Sequence, residues 1–213
     1  MAKLQVGEIS KPRFEFRTFG NHFLTEKSIM GDLSAPVPEK VRERESEETY
    51  IVSKTNNINN TKIRDGKMDI KTFVQEIDGL EQWNPLLKTE FPLSSDFVRD
   101  KMFPAFQAEC PELTQDEYSQ EDFLQVIKDH KDLQAVNVKK HRFGFMVHDT
   151  ICEYAEVLIN GAMIFSLNSE STEIEDIKKT MKDVGLVGKP NINYLGAIKR
   201  VVGMADEIIP SNF

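Results

Sequence analysis

The sequence predicts an α+β fold built on an antiparallel, barrel-like sheet with helices packed outside it. Three observations carry this. Charged and apolar residues alternate with period two on several separated segments, beginning with Arg13-Phe14-Glu15-Phe16-Arg17; successive side chains of a strand point to opposite faces. Tight-turn dipeptides, Asp65-Gly66 and Asn160-Gly161, join neighbouring segments as hairpins. The order is strands, helices, strands, helices, with no repeated βαβ unit, which disfavours a parallel doubly wound sheet.

Taken in order, residues 1–10 form a short flexible lead. Lys11 to Phe19 is a strand with one apolar face. Residues 31–46, with Gly31, Pro36 and Pro38 before a charged run, predict a loop. ETYIVSKT at 48–55 is rich in β-branched and aromatic residues and predicts a strand. Asn56 to Asn60 is a turn, Lys62 to Arg64 a short strand and Met68 to Val74 another, giving a three-stranded meander. Gly79 to Pro92 reads as irregular, with Trp83, Pro85 and Leu86 capping a barrel end. Ser95 to Phe106 predicts a helix capped by Ser94 or Ser95, and Thr114 to His130 a second. Val136 to Val147 and Thr150 to Ile159 are strands joined at His148-Asp149, and Ala162 to Ser171 returns from Asn160-Gly161. Thr172 with Glu175 makes a capping box for a helix to Val184, closed by Gly185. Asn193 to Val202 is a last helix, closed by Gly203. The whole chain, 1–213, is read as one domain.

Composition bounds the function. The formal net charge of −8 argues against coating duplex nucleic acid, though a local basic pocket still holds a small anion. No apolar run approaches the roughly 18 residues of a membrane span, and Met1 to Ser10 has no signal-peptide core, so the cytoplasm is the expected compartment. Cys110 and Cys152 lie in no metal-type spacing and are expected to be reduced, half-buried thiols. His22, His130, His141 and His148 are read as surface or satisfied histidines. No P-loop, GxGxxG or GxSxG motif is present.

The polar faces of the strands are the distinctive feature. They carry Arg13, Glu15 and Arg17; Lys62 and Arg64; Asp69 and Lys71; Lys140 and Arg142; Glu153; and Ser166, Asn168 and Glu170. The opposite faces carry Phe14, Phe16, Ile63, Ile70, Met163, Phe165 and Leu167. A solvated sheet face accounts for any one of these sets. If outer helices cover the apolar faces and the sheet closes, the charges point into a tunnel. Buried charge there requires pairing or a ligand, and phosphate suits the guanidinium fork and the ammonium.

The segments RFEFR at 13–17, TKIRDGKMDIK at 61–71, VKKHR at 138–142, Glu153 to Gly185 and NINYLGAIKRVVG at 191–203 resemble the CYTH-like, or triphosphate tunnel metalloenzyme, superfamily. The resemblance implies an eight-stranded antiparallel tunnel. Members bind triphosphate with a divalent metal and hydrolyse inorganic or organic triphosphates, or cyclise ATP. Carried over by position, Arg17, Lys62, Arg64, Lys71, Lys140 and Arg142 would grip phosphates. Glu15 and Glu170, with Glu153 beside them, would hold Mg²⁺ or Mn²⁺. The implied partner is a small-molecule polyphosphate or nucleoside triphosphate. Two positions depart from the pattern: Arg13 and Asn168 stand where the family has glutamates. The implied function is a triphosphate hydrolase; a non-catalytic polyphosphate binder of the same fold, or a scaffold protein with a solvated charged sheet, is the alternative.

Overall fold

The computed structural model describes residues 12–205; the predicted lead at 1–10 and Lys11 lie outside them. The alternating segments close into a barrel. Its strands are β1 (Arg13–Gly20), β2 (Glu43–Ser53), β3 (Asn59–Arg64), β4 (Lys67–Ile77) and β5 (Leu80–Glu90). After a ribbon of β6 (Leu93–Ser94) and β7 (Glu117–Tyr118) come β8 (Leu133–Val147), β9 (Thr150–Ile159) and β10 (Ala162–Ser171). The ring runs β1-β10-β9-β8-β2-β3-β4-β5. β1 closes it, antiparallel to β10 (Glu15 opposite Glu170) and to β5 (Arg13 opposite Trp83). The expected eight-stranded antiparallel barrel is therefore present.

Turn chemistry sets the hairpins. Asp65-Gly66, Asp78-Gly79 and Asn160-Gly161 all have positive φ at both central residues, the geometry that matches strand twist in two-residue hairpins. Asp78-Gly79 launches β5, so residues 79–92 are not irregular as expected. The misleading signal is Pro85. It sits at a register shift: Ile70 faces Leu87, while Lys71 faces Pro85. A bulge is where a strand tolerates proline. Trp83, opposite Arg13, consequently faces the barrel interior instead of capping an end.

Other expectations are corrected in detail. The predicted loop at 31–46 contains the end of α1 (Leu24–Leu33), all of α2 (Glu39–Arg42) and the start of β2. The charged run there is itself an alternating strand, paired with β8 from Glu43 opposite Phe143 to Ser53 opposite Leu133. Residues 95–106 are helical, as α3 (Ser95–Phe97), a π-helical turn at Val98–Met102 and α4 (Phe103–Phe106); the Ser94 hydroxyl accepts from the Phe97 N–H. The second helix is shorter than expected: α5 is Gln120–Asp129, capped by Ser119. Buried Tyr118 holds the preceding segment extended, pairing with Leu93 and accepting at its hydroxyl from the Thr114 and Gln115 amides. α6 (Ile174–Val184) ends at Gly185 as expected, but its capping box is not formed: Thr172 donates to Glu173, whose N–H goes to Ser171. In α7 (Tyr194–Val201), Asn193 caps the Gly196 N–H.

Three apolar clusters hold this arrangement. On the outside, α1 and α6 cover β1, β9 and β10 through Met30, Ile177 and Val184 against Phe14, Phe16, Tyr154 and Leu167. The 93–127 segment covers β2 to β4 through Val98, Met102, Phe103 and Phe123 against Ile51, Ile63, Met68 and Ile70. The third cluster lies on the inner face. Phe19, Tyr50, Val52, Val136, Val138 and Val157 meet Tyr194, Leu195 and Ile198 of α7. Full burial of each such side chain stabilises by about 1.5–3 kcal/mol. The inner face is thus polar along only part of its length, and α7 closes the apolar end.

Both cysteines are free, Cys152 buried and Cys110 half-buried. His141 pairs with Glu43 and His148 with Asp183. Among the described residues, no helix is long and apolar enough to cross a membrane.

Candidate functional site: a charged tunnel closed at one end

Alternation along six strands brings all nine sequence-predicted site residues to one cavity of about 430 Å³. Arg17, Lys62, Arg64, Lys71, Lys140, Arg142, Glu15, Glu153 and Glu170 all line it. Position along each strand sets depth. On β1, Phe19 belongs to the apolar end, Arg17 follows, and Arg13 lies toward the mouth. On β8, Val136 and Val138 belong to the apolar end, Lys140 follows and Arg142 lies nearer the mouth. Tyr50 and Tyr194 form the floor, with ring centroids 5.9 Å apart.

The wall made by β2, β3 and β8 centres on Glu48, which is 1% exposed. Lys140 Nζ donates to its Oε2 at 2.8 Å and Lys62 Nζ at 3.2 Å, and an Arg64 nitrogen lies 3.6 Å from Oε1. Lys140 also donates to the Tyr50 hydroxyl at 2.9 Å and sits 3.7 Å from the centroid of the Tyr194 ring. Burial alone would push the Glu48 carboxyl up; the neighbouring Lys140 and Lys62 charges overcome it and hold the group far below the usual carboxylate range. Burial, with Lys62 and Arg142 nearby, pulls Lys140 down to about 7, even against Glu48. Burial lowers Lys62 as well.

The opposite wall, β1, β9 and β10, centres on Arg17. Its Nε donates to Glu15 at 2.5 Å, and its terminal nitrogens lie 3.9 Å from Glu153 and 4.0 Å from Glu170. It also donates to Ser166 at 3.0 Å and lies 4.6 Å from the Tyr194 ring centroid. Arg13 reaches Glu170 at 3.4 Å, and Arg44 reaches Glu153 at 3.0 Å. Burial works to raise the Glu170 carboxyl, but Lys71, Arg17 and Arg13 prevail and lower it.

Eight cations line the cavity: Arg13, Arg17, Arg44, Lys62, Arg64, Lys71, Lys140 and Arg142. Four carboxylates line it, Glu15, Asp69, Glu153 and Glu170, and Glu48 in the wall makes five. The site therefore carries an excess of three positive charges in a chain of net charge −8. The Nε–H groups of Arg13, Arg44 and Arg142 and the Tyr194 hydroxyl are buried with no hydrogen-bond partner among the described residues. Buried donors of this kind are rare unless a ligand or water meets them.

Glu48, Arg44, Tyr50 and Tyr194 were not singled out in the sequence. Glu48 and Arg44 fall in the charged run ERESEETY, which carries carboxylates on both faces, so only the pairing with β8 separates the inner set from the outer. Tyr194 has none, since it enters from a helix at the far end of the chain.

The carboxylates do not fit a divalent cation. Among the described residues no group of three is arranged to hold one. Glu15, Glu153 and Glu170 converge, but on the Arg17 guanidinium.

No family model matches the chain, and no curated protein does. Solved structures do. A conserved hypothetical protein from Pyrococcus furiosus is 17% identical over 86% of this chain and 98% of its own, with a TM-score of 0.48. A candidate adenylate cyclase from Bacillus halodurans is 13% identical over 87% and 97%, with a TM-score of 0.48. A candidate adenylyl cyclase from Hippeastrum, described as having a dominant triphosphatase activity, is 10% identical over 93% and 98%, with a TM-score of 0.46. At these identities and TM-scores, none assigns an activity to this chain.

Proposed function

We propose that the chain is a divergent CYTH-like tunnel protein that binds the triphosphate group of a small molecule, inorganic tripolyphosphate or a nucleoside triphosphate. The observation that carries this is the excess of cations over carboxylates inside a closed barrel, with guanidinium N–H donors left unpaired. A triphosphate offers many charged oxygens to such donors. The site is closed at its floor, so the phosphates enter from the mouth.

Hydrolysis of the terminal anhydride is the reaction such a grip favours, because cations fixed around the phosphoryl group stabilise charge in the transition state. One observation supports the second reading, binding without turnover: every carboxylate in the tunnel lies within 4.0 Å of a cation. None stands free as a base for water.

The direct test is thermal unfolding with tripolyphosphate. At a ligand concentration 100 times Kd, binding to the folded state alone adds about 2.7 kcal/mol, which raises Tm by roughly 5–10 °C. An unchanged Tm up to millimolar ligand refutes the reading, and release of phosphate separates a hydrolase from a binder.

Affinity is also expected to depend on pH through Lys140. Its ammonium is charged below about pH 7 and neutral above, so affinity falls as pH rises through 7, by up to about tenfold per pH unit. Comparison with Lys140→Met isolates this residue from the ligand's own titration; equal pH profiles for the two proteins would exclude it.

A further inference from the structure

We propose that the tunnel takes its triphosphate free of metal, with the guanidinium groups of Arg13 and Arg17 standing in the place of a divalent cation. This rests on the tunnel reading above and narrows its ligand.

The three carboxylates best placed to gather a cation already surround one. Arg17 lies 2.5 Å from Glu15, 3.9 Å from Glu153 and 4.0 Å from Glu170. It is 5% exposed, bonded to Ser166 and laid over the Tyr194 ring. A divalent ion that entered this triangle would displace the guanidinium and leave a buried charge without its partners. Removing one partner of a buried pair costs several kcal/mol. Mg²⁺ and Mn²⁺ also want carboxylate oxygens, and the neighbouring side chains offer few. Asn168 presents an amide whose N–H already donates to Glu170 at 2.9 Å. Arg13 presents another guanidinium, 3.4 Å from Glu170.

The same pair supplies what a metal would bring to a triphosphate, namely fixed positive charge beside its oxygens. A guanidinium keeps its charge at every working pH and presents donors in a planar fork. The Arg13 Nε–H has no partner among the described residues. A metal-bound triphosphate arrives with part of its charge neutralised and some oxygens occupied, so it has less to offer these donors than the free anion.

The test is isothermal titration calorimetry on the full chain. Tripolyphosphate is titrated in EDTA and again with excess Mg²⁺, and Mn²⁺ is titrated alone. The expected result is binding in EDTA, weakened by Mg²⁺, and no isotherm with Mn²⁺ alone. Binding of tripolyphosphate that appears only with Mg²⁺ overturns the inference and leaves the tunnel reading intact. So does a saturable Mn²⁺ isotherm. Absence of tripolyphosphate binding in both buffers overturns both. Arg13→Gln, whose ligand-free Tm reports that it is folded, should bind tripolyphosphate in EDTA at least tenfold more weakly. Unchanged affinity in that variant removes Arg13 from the role.

Discussion

Glu48→Ala is expected to lower folding stability by about 3 kcal/mol near pH 6, the lower end for removing one partner from a buried ion pair. Glu48 is 1% exposed and receives two ammonium groups. Without it, Lys140 and Lys62 face each other and Arg142 with no counter-charge between them. Lys140 limits the damage by losing its proton. The pH dependence follows from the two shifts. The Glu48 carboxyl is depressed below its ordinary value of 4.5, so its contribution is present above that value and is lost as pH falls through its lower folded value. Burial holds Lys140 down at about 7 even with Glu48 raising it, and without Glu48 it falls further, so the two proteins differ where only the wild type keeps the ammonium and converge above 7, where both lose it. The difference between wild type and variant is therefore largest between about pH 5 and 7 and shrinks by pH 9. Urea denaturation at pH 6 and pH 9 measures it. A loss under 1 kcal/mol at pH 6 would show that the Glu48 cluster contributes little to folding.

The double variant Arg64→Ala/Arg142→Ala should weaken tripolyphosphate binding by roughly 10²–10⁴-fold, since each lost charge-assisted hydrogen bond accounts for about 1.5–3 kcal/mol. The two arginines stand on β3 and β8, on either side of β2, Arg64 opposite Glu48 and Arg142 opposite Arg44. Their removal leaves the fold supported. Glu48 keeps Lys140 and Lys62, and Glu153 keeps Arg44 at 3.0 Å. The ligand-free Tm should accordingly change little while the ligand-induced rise disappears. A folded double variant that binds within threefold of wild type would place the phosphates elsewhere.

The strands that alternate cleanly were legible in the sequence. β1, β3, β4 and β10 each show charge on one face and large apolar residues on the other, and the glycine turns fix their partners. Two kinds of information were hidden. Pro85 conceals β5 because a proline in a strand is readable only when its bulge is seen across the register with β4. Glu48 is concealed by its neighbours: Glu43, Glu45 and Glu47 share its charge, and only the pairing with β8 shows which face each takes. The pairing of each predicted carboxylate with an arginine was equally invisible. Arg17 and Glu15 are two residues apart, but Glu153 and Glu170 reach Arg17 only through barrel closure. The same holds for Tyr194, brought to the floor by a helix 177 residues after Arg17 in the chain.

The position of β1 in the ring also bears on how the protein is made. Its partners are β5, centred some 70 residues later, and β10, some 150 residues later. At the usual pace of translation, about 5–20 residues per second, the first strand leaves the ribosome roughly 8–30 s before its second partner exists. Until then, Phe14 and Phe16 lack the outer helix α6 that covers them, Phe19 lacks the inner cluster it joins, and Arg17 has only Glu15 of its three carboxylates beside it. Ring closure is a late, long-range event in the life of the nascent chain, and until it happens the first strand keeps its apolar side chains and both its edges open.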